Sequence, residues 1–388
     1  MSLVKKTKSS TFNNFFNSEK SSGGLLIVCT LLSLAGTNSV FGTSYLAFWQ
    51  TYVAGLSFEH WVNDGFMAIF FLLIGLELER EFYVGELSNF KNALLPIFAA
   101  IGGLSLPAFI HFSLNVGSVT QAGIGIPMAT DIAFALGALA LLGNRVPTSL
   151  KVLLTAIAVM DDLGAIIVIA IFYTAKLSVL YLIGALSVFG LLIVLNKLSV
   201  MSLIPYILGG VLMWFLMLKS GIHPTIAGVL LAFAIPFTNK VDDVKSPSQK
   251  LEHFLHKPVA FIILQIFACV NTGVVIGSDW FQSLFSTNSM GILLGLALGK
   301  PLGITLASLL VVFIGFCRLP SDLNWKHLIG IGILGGIGFT MSIFITNLAF
   351  VGEPHIINAS KMAILLASLI AGIIGFTWLR LTTQDKSK

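Results

Sequence analysis

The stretch Val152-Leu-Leu-Thr-Ala-Ile-Ala-Val-Met-Asp161-Asp162-Leu-Gly-Ala-Ile-Ile-Val-Ile-Ala-Ile-Phe172 is apolar throughout except for one threonine and two adjacent carboxylates at its centre. As a helix it is long enough to cross a bilayer core of about 30 Å, which places both acids near the midplane. Each charged residue there costs roughly 2.5–3.5 kcal/mol on insertion scales. Two in succession imply an ion or proton site inside a membrane protein.

The rest of the chain agrees. Of 388 residues, 56% are hydrophobic and 10% charged, against about 25% charged in soluble domains. Long apolar blocks, with no weak alternation, mean helical spans and not a barrel. The expectation is an all-α integral membrane protein, one transporter domain over 1–388, with about a dozen spans of ~20 residues. No segment remains for a soluble catalytic domain. No basic, aromatic-interleaved patch suggests nucleic acid. Cys29, Cys269 and Cys317 form neither a metal pattern nor a disulfide framework. Lys5, Lys6, Lys8 and Lys20 precede an apolar run without a small-residue cleavage site, which reads as a retained first span and not a signal peptide.

Spans are expected at 24–37, 59–82, 93–115, 121–142, 150–174, 178–196, 203–218, 223–237, 254–272, 288–313, 327–350 and 358–380. Lys219-Ser-Gly-Ile-His-Pro224 makes a tight turn. Alternating sides along these spans puts 18 of the 22 basic residues on one side; only Lys176, Lys219 and Lys361 fall on the other, and Lys300 lies within a span. By the positive-inside rule both termini are cytoplasmic, with tails over 1–23 and 381–388. The uncharged, aromatic stretch 41–58 is expected as an outer-side hairpin or loop.

A repeat is the second strong signal. Gly123-Ile-Gly-Ile-Pro-Met-Ala-Thr130-Asp131-Ile-Ala-Phe134 and Gly332-Ile-Leu-Gly335-Gly336-Ile-Gly338-Phe-Thr340-Met-Ser-Ile-Phe344 are both rich in helix breakers and both end in Thr-x-x-x-Phe. Each span should unwind mid-membrane. Spans 3–5 and 10–12 begin on opposite sides, so they form an inverted repeat whose two interrupted helices, spans 4 and 11, cross. Glycines for close helix packing are the plainer alternative, but they leave Asp131 at the break unexplained.

Asp131, Asp161, Asp162 and Lys300 together carry an insertion cost of roughly 10–14 kcal/mol. They must pair, or face protein or water. Interrupted helices offer compensation: Asp131 for the stub N-termini, Lys300 for the C-termini. Thr130 adds a neutral oxygen ligand. Asp161 and Asp162 point about 100° apart, so one can pair with Lys300 while the other ligates a hard cation through oxygen. A carboxyl held between burial and a cationic partner can exchange protons for a metal ion.

Ala129-Thr-Asp-Ile-Ala-Phe-Ala-Leu-Gly137, Asp161-Asp-Leu-Gly-Ala165, Gly299-Lys-Pro-Leu-Gly303 and Gly338-Phe-Thr-Met-Ser-Ile-Phe344 resemble the NhaA-type sodium/proton antiporters, from about Trp61 to Arg380. The resemblance implies Asp162 as chief cation ligand, Asp161 as its partner paired with Lys300 when sodium is absent, and Thr130 as a further sodium ligand. Thr130 and Asp131, with the broken helix at Gly335, Gly336, Gly338 and Thr340, would form the crossing assembly. Asp64 matches a further functional acid; otherwise it is an interfacial carboxylate. Leu251-Glu252-His253-Phe-Leu-His256, with Glu77, Arg80 and Glu81, matches a cytoplasmic pH-sensing region. His223 matches a family histidine and is read as local and structural. The resemblance further implies Na+, Li+ and H+ as transported ions with no cofactor, a homodimer in the lipid bilayer of the bacterial inner membrane, and a part in pH homeostasis and salt tolerance. Gln265 stands where the resemblance leads one to expect proline, and Lys257 occupies a place before Pro258 where the family tends to have none. Both departures bear on regulation and dimer contacts more than on transport.

The activity implied is electrogenic, pH-regulated export of Na+ (or Li+) against protons by alternating access. A sodium-coupled symporter of an organic anion would need a second, organic pocket. An intramembrane aspartyl protease needs two acids sharing a proton, which Lys300 opposes.

Overall fold

A computed structural model describes residues 21–174, 177–238 and 246–383. Most of the expected cytoplasmic tails, together with Lys5, Lys6, Lys8, Lys20, Lys176, Lys240, Lys245, Lys386 and Lys388, lie outside the described residues.

Every expected span contains helix. Eight helices pass as membrane-crossing by length and composition: Phe58–Tyr83, Asn92–Asn115, Val119–Ala140, Thr148–Phe172, Val179–Lys197, Pro247–Asn271, Thr287–Phe313 and Pro354–Thr382. Two more pass as bent pairs, Ser21–Thr37 with Gly42–Trp49 (118°) and Trp325–Gly335 with Phe339–Ala349 (43°). The remaining two expected spans hold shorter helices, Ile204–Ser220 and Ile226–Ala234. Gly221, at φ 88°, ends the first of these in the left-handed conformation that permits the tight turn. The described residues are helical from Ser21 onward, so the expected tail boundary at residue 23 falls inside helix.

Local chemistry fixes several helix starts. Ser57, Asp131, Ser246, Ser286 and Asn324 each accept a backbone N–H with their side chains, and Ser246–Gln249 closes a full capping box. The stretch 41–58 contains the helix Gly42–Trp49 and then a hairpin, in which Tyr52–Val53 pairs antiparallel with Leu56–Ser57. Trp61–Phe66, Val259–Ile263 and Gly295–Gly299 are π turns.

The chain divides into two compact units. One comprises the described residues within Met1–Val40, Leu94–Asp161 and Asn271–Lys388; the other comprises Phe41–Ala93 and the described residues within Asp162–Val270. In the first unit, helices Phe90–Asn115 and Lys300–Phe313 approach at paired glycines: a Cβ on Gly102 would lie 2.2 Å from the Gly303 carbonyl oxygen. In the second, a Cβ on Gly228 would lie 2.1 Å from the Ala68 carbonyl oxygen. Both contacts are backbone against backbone, as small residues allow between membrane helices.

Candidate functional site

The fourth span is 3-10 helix over Val119–Met128, extended at Ala129, and α-helix over Ile132–Ala140. A ten-residue 3-10 run is long for this geometry, whose hydrogen bonds are poor; Pro127 and the glycines deny it a regular α-ladder. The eleventh span stops at Gly335 and restarts at Phe339. The two interruptions touch. The Asp131 N–H donates to the Ile337 carbonyl at 2.6 Å, and the Thr130 hydroxyl lies 2.9 Å from the Gly335 carbonyl.

Asp131 serves the N-termini of both stubs. Its Oδ1 accepts the Phe134 N–H at 2.9 Å, and its Oδ2 accepts the Thr340 N–H at 3.1 Å and the Thr340 hydroxyl at 2.5 Å. A carboxylate between two positive helix ends, 2% exposed, has its charge met by dipoles. Both oxygens are committed to helix caps, which is unlike an acid sharing its proton with a second acid.

The opposite ends are met separately. Lys300 Nζ donates to the Met128 carbonyl, the last of the 3-10 run, and to Asp161 Oδ2, each at 2.5 Å. It reaches one C-terminal stub only; Gly335, ending the other, faces the Thr130 hydroxyl. The expectation that Lys300 compensates both is corrected by this division. Lys300 follows directly on the π turn Gly295–Gly299.

Asp161, Lys300 and Thr130 form one cluster. Asp161 and Lys300 are both fully buried. The Thr130 hydroxyl is 2.7 Å from Asp161 Oδ2. Having one hydrogen, it cannot donate fully to Asp161 and to Gly335 at once. The ammonium therefore sits among carboxylate, hydroxyl and carbonyl oxygens, the donor set a hard cation takes. Asp161 Oδ1 has no hydrogen-bond partner among the described residues. Asp162, 1% exposed, follows on the same helix and points about 100° away. No group of three His, Cys, Asp or Glu side chains is set to hold a metal among the described residues; the oxygens of this cluster are mostly not carboxylates.

The remaining expected residues lie in two further groups. Asp64 falls within the π turn Trp61–Phe66, its Oδ1 3.4 Å from His223 Nε2 and its carbonyl accepting the Trp214 indole N–H at 3.0 Å. His223 Nδ1 is also 2.7 Å from the Thr225 hydroxyl. Arg80 donates to Glu252 at 2.8 Å and lies 3.2 Å from Glu81. The charges of Glu77 on Arg80, and of His253 and Arg80 on His256, complete that group. Gln265, in place of proline, donates to the Ala260 carbonyl inside the adjoining π turn at 2.8 Å.

Some contributors carried no sequence signal. Met128 acts through its carbonyl, which any residue could supply. Glu79, 5% exposed, accepts the Ser248 hydroxyl at 2.7 Å. The Ser246-Pro-Ser-Gln249 capping signature could have located that helix start.

Comparison with known proteins gives one answer. The chain is 70% identical over 381 residues to the Na(+)/H(+) antiporter NhaA of Dechloromonas aromatica (strain RCB), covering 98% of each. It is 60% identical over 374 residues to the NhaA of Flavobacterium psychrophilum, covering 96% of this chain and 97% of the relative. To the NhaA of Cytophaga hutchinsonii it is 58% identical over 374 residues, covering 96% of each. The family model described as Na+/H+ antiporter 1 matches residues 13–379, and the chain therefore belongs to that family of membrane transporters.

Proposed function

We propose that the chain exports Na+ or Li+ in exchange for protons, by alternating access, with Asp161, Thr130 and Lys300 and the next helix residue, Asp162, as its ion-handling residues. One observation carries the reading: the Lys300 ammonium occupies the oxygens of Asp161 and Met128, beside Thr130, at the touching breaks of two helices. A sodium ion needs the same oxygens. Ammonium and sodium therefore compete for one place.

When protons leave the carboxyls, Asp162 is the chief ligand for the incoming cation. Asp161 joins it as Lys300 withdraws, and Thr130 supplies a neutral oxygen. The site then opens outward, external protons displace the cation, and the carrier resets. Two acids exchanging for one sodium would bring in more charge than leaves, so the cycle is electrogenic and the membrane potential drives it. Asp131 serves transport by keeping the two stub N-termini together. Asp64, beside His223, is a second acid on the ion's path. Glu77, Arg80, Glu81, Glu252, His253 and His256 are the pH-responsive group. The protein works as a homodimer in a bacterial cytoplasmic membrane, termini inward, and supports pH homeostasis and salt tolerance.

Asp162→Asn in everted vesicles tests the site. Sodium-induced proton movement is expected to vanish while the protein still inserts; movement at the unsubstituted rate would reject the ligand role.

A further inference from the structure

Hydroxyls within this protein's helices usually return to the carbonyl one turn back. Thr155 bonds Lys151, Ser187 bonds Ile183, Ser360 bonds Ile356 and Thr382 bonds Trp378. Thr305 and Ser308, on the helix Lys300–Phe313, do not. Both hydroxyl oxygens are buried and have no protein hydrogen-bond partner among the described residues. Ser308 is 0% exposed. Folded proteins rarely leave buried hydroxyls unmade, and ordered water is the usual remedy.

Two more polar positions near the start of the same helix lack a protein partner among the described residues. One is Asp161 Oδ1. The other is the third hydrogen of the Lys300 ammonium, since the first two go to Asp161 and Met128. Thr305 lies about 7.5 Å and Ser308 about 12 Å along the helix axis from Lys300. Three or four waters at hydrogen-bond spacing, about 2.8 Å, span that distance. Pro301, Thr305 and Ser308 share a helix face. Opposite Thr305 stands Gly332, where a Cβ would lie 3.4 Å from the Thr305 hydroxyl. The same Cβ would lie 3.1 Å from the Pro301 Cα and carbonyl oxygen, so glycine at 332 lets the two helices meet closely at this face. Ile304, 0% exposed, directly precedes Thr305 and reaches close to Gly335.

We propose that Thr305 and Ser308 hold a file of ordered water, and that protons pass along it between the Lys300–Asp161 pair and the cytoplasm. The direction rests on the orientation proposed above. Each hydroxyl accepts a proton from one water and releases its own to the next, so bonds and charge balance at every step.

The test is X-ray radiolytic footprinting of the full chain in nanodiscs, which marks side chains beside bound water. Ile304 is expected to be oxidised although buried, whereas Ile343, equally buried at 0% exposed, is not. In Thr305→Val/Ser308→Ala the Ile304 mark is expected to disappear and proton exchange to slow several-fold, with the sodium KM unchanged. Thr305→Ser, which keeps a hydroxyl, should retain both; Ser308→Ala alone serves if the double variant does not fold. An unmarked Ile304, or a variant that is more heat-stable and exchanges at the original rate, overturns the proposal. Footprinting reads water without transport, so an inactive wild type would sink the antiport reading and leave this answer standing.

Discussion

Removing Lys300 and Asp161 singly and together measures what holds the centre of the protein. Both side chains are 0% exposed and meet at 2.5 Å. Stranding one buried charge by deleting its partner costs about 3–5 kcal/mol. An independent bound agrees. A stranded carboxyl can at worst take a proton, which at pH 7.5 costs an ordinary carboxyl of pKa ~3.9 about 5 kcal/mol. Lys300→Met and Asp161→Asn should therefore each destabilise by about 3–5 kcal/mol. Lys300→Met/Asp161→Asn leaves no stranded charge and should cost far less than the sum, with a coupling of several kcal/mol. Because both groups are out of water, 0.5 M KCl should change little. The assay is thermal unfolding of purified protein in sodium-free detergent, followed by tryptophan fluorescence. A double variant as unstable as the two singles added would refute the pairing.

Asp131→Ala should be less stable than Asp131→Asn by about 0.5–2 kcal/mol, because asparagine keeps one acceptor for the Phe134 N–H while alanine loses the caps on both stubs; equal melting temperatures would contradict the double-cap geometry. Glu252→Gln breaks the pair with Arg80, part-exposed and so worth at most about 1 kcal/mol. It is expected to shift the pH at which exchange switches on, read as dye-reported proton flux, with little change in melting; an unmoved profile would remove this pair from pH control. Gly228→Ala forces a Cβ toward the Ala68 carbonyl and should cost about 1–3 kcal/mol, visible in the same melting assay.

Much of this was legible in the residues. The apolar runs marked all twelve helix-bearing segments, because a bilayer tolerates no other spanning backbone here. Glycine and proline marked both interruptions, and the cost of a buried charge tied Asp131 to the breaks and Lys300 to an acid. What was not legible depends on backbone detail. The π turns at Asp64 and before Lys300 have no residue signature. Thr130 facing Gly335 and Glu79 receiving Ser248 join residues more than 160 positions apart, and no local pattern encodes that contact. The division of labour at the stub C-termini, Lys300 for one and Thr130 for the other, needed coordinates, since the sequence offered only one cation for two ends.

The central claim is that one oxygen-lined place is held in turn by sodium and by protonated groups. Purified chain in sodium-free liposomes carrying an internal pH dye tests it most directly. An imposed sodium gradient should move protons in the opposite direction, faster when potassium and valinomycin set a potential that favours net charge entry with the protons. Sodium movement with no opposing proton flux would contradict the account.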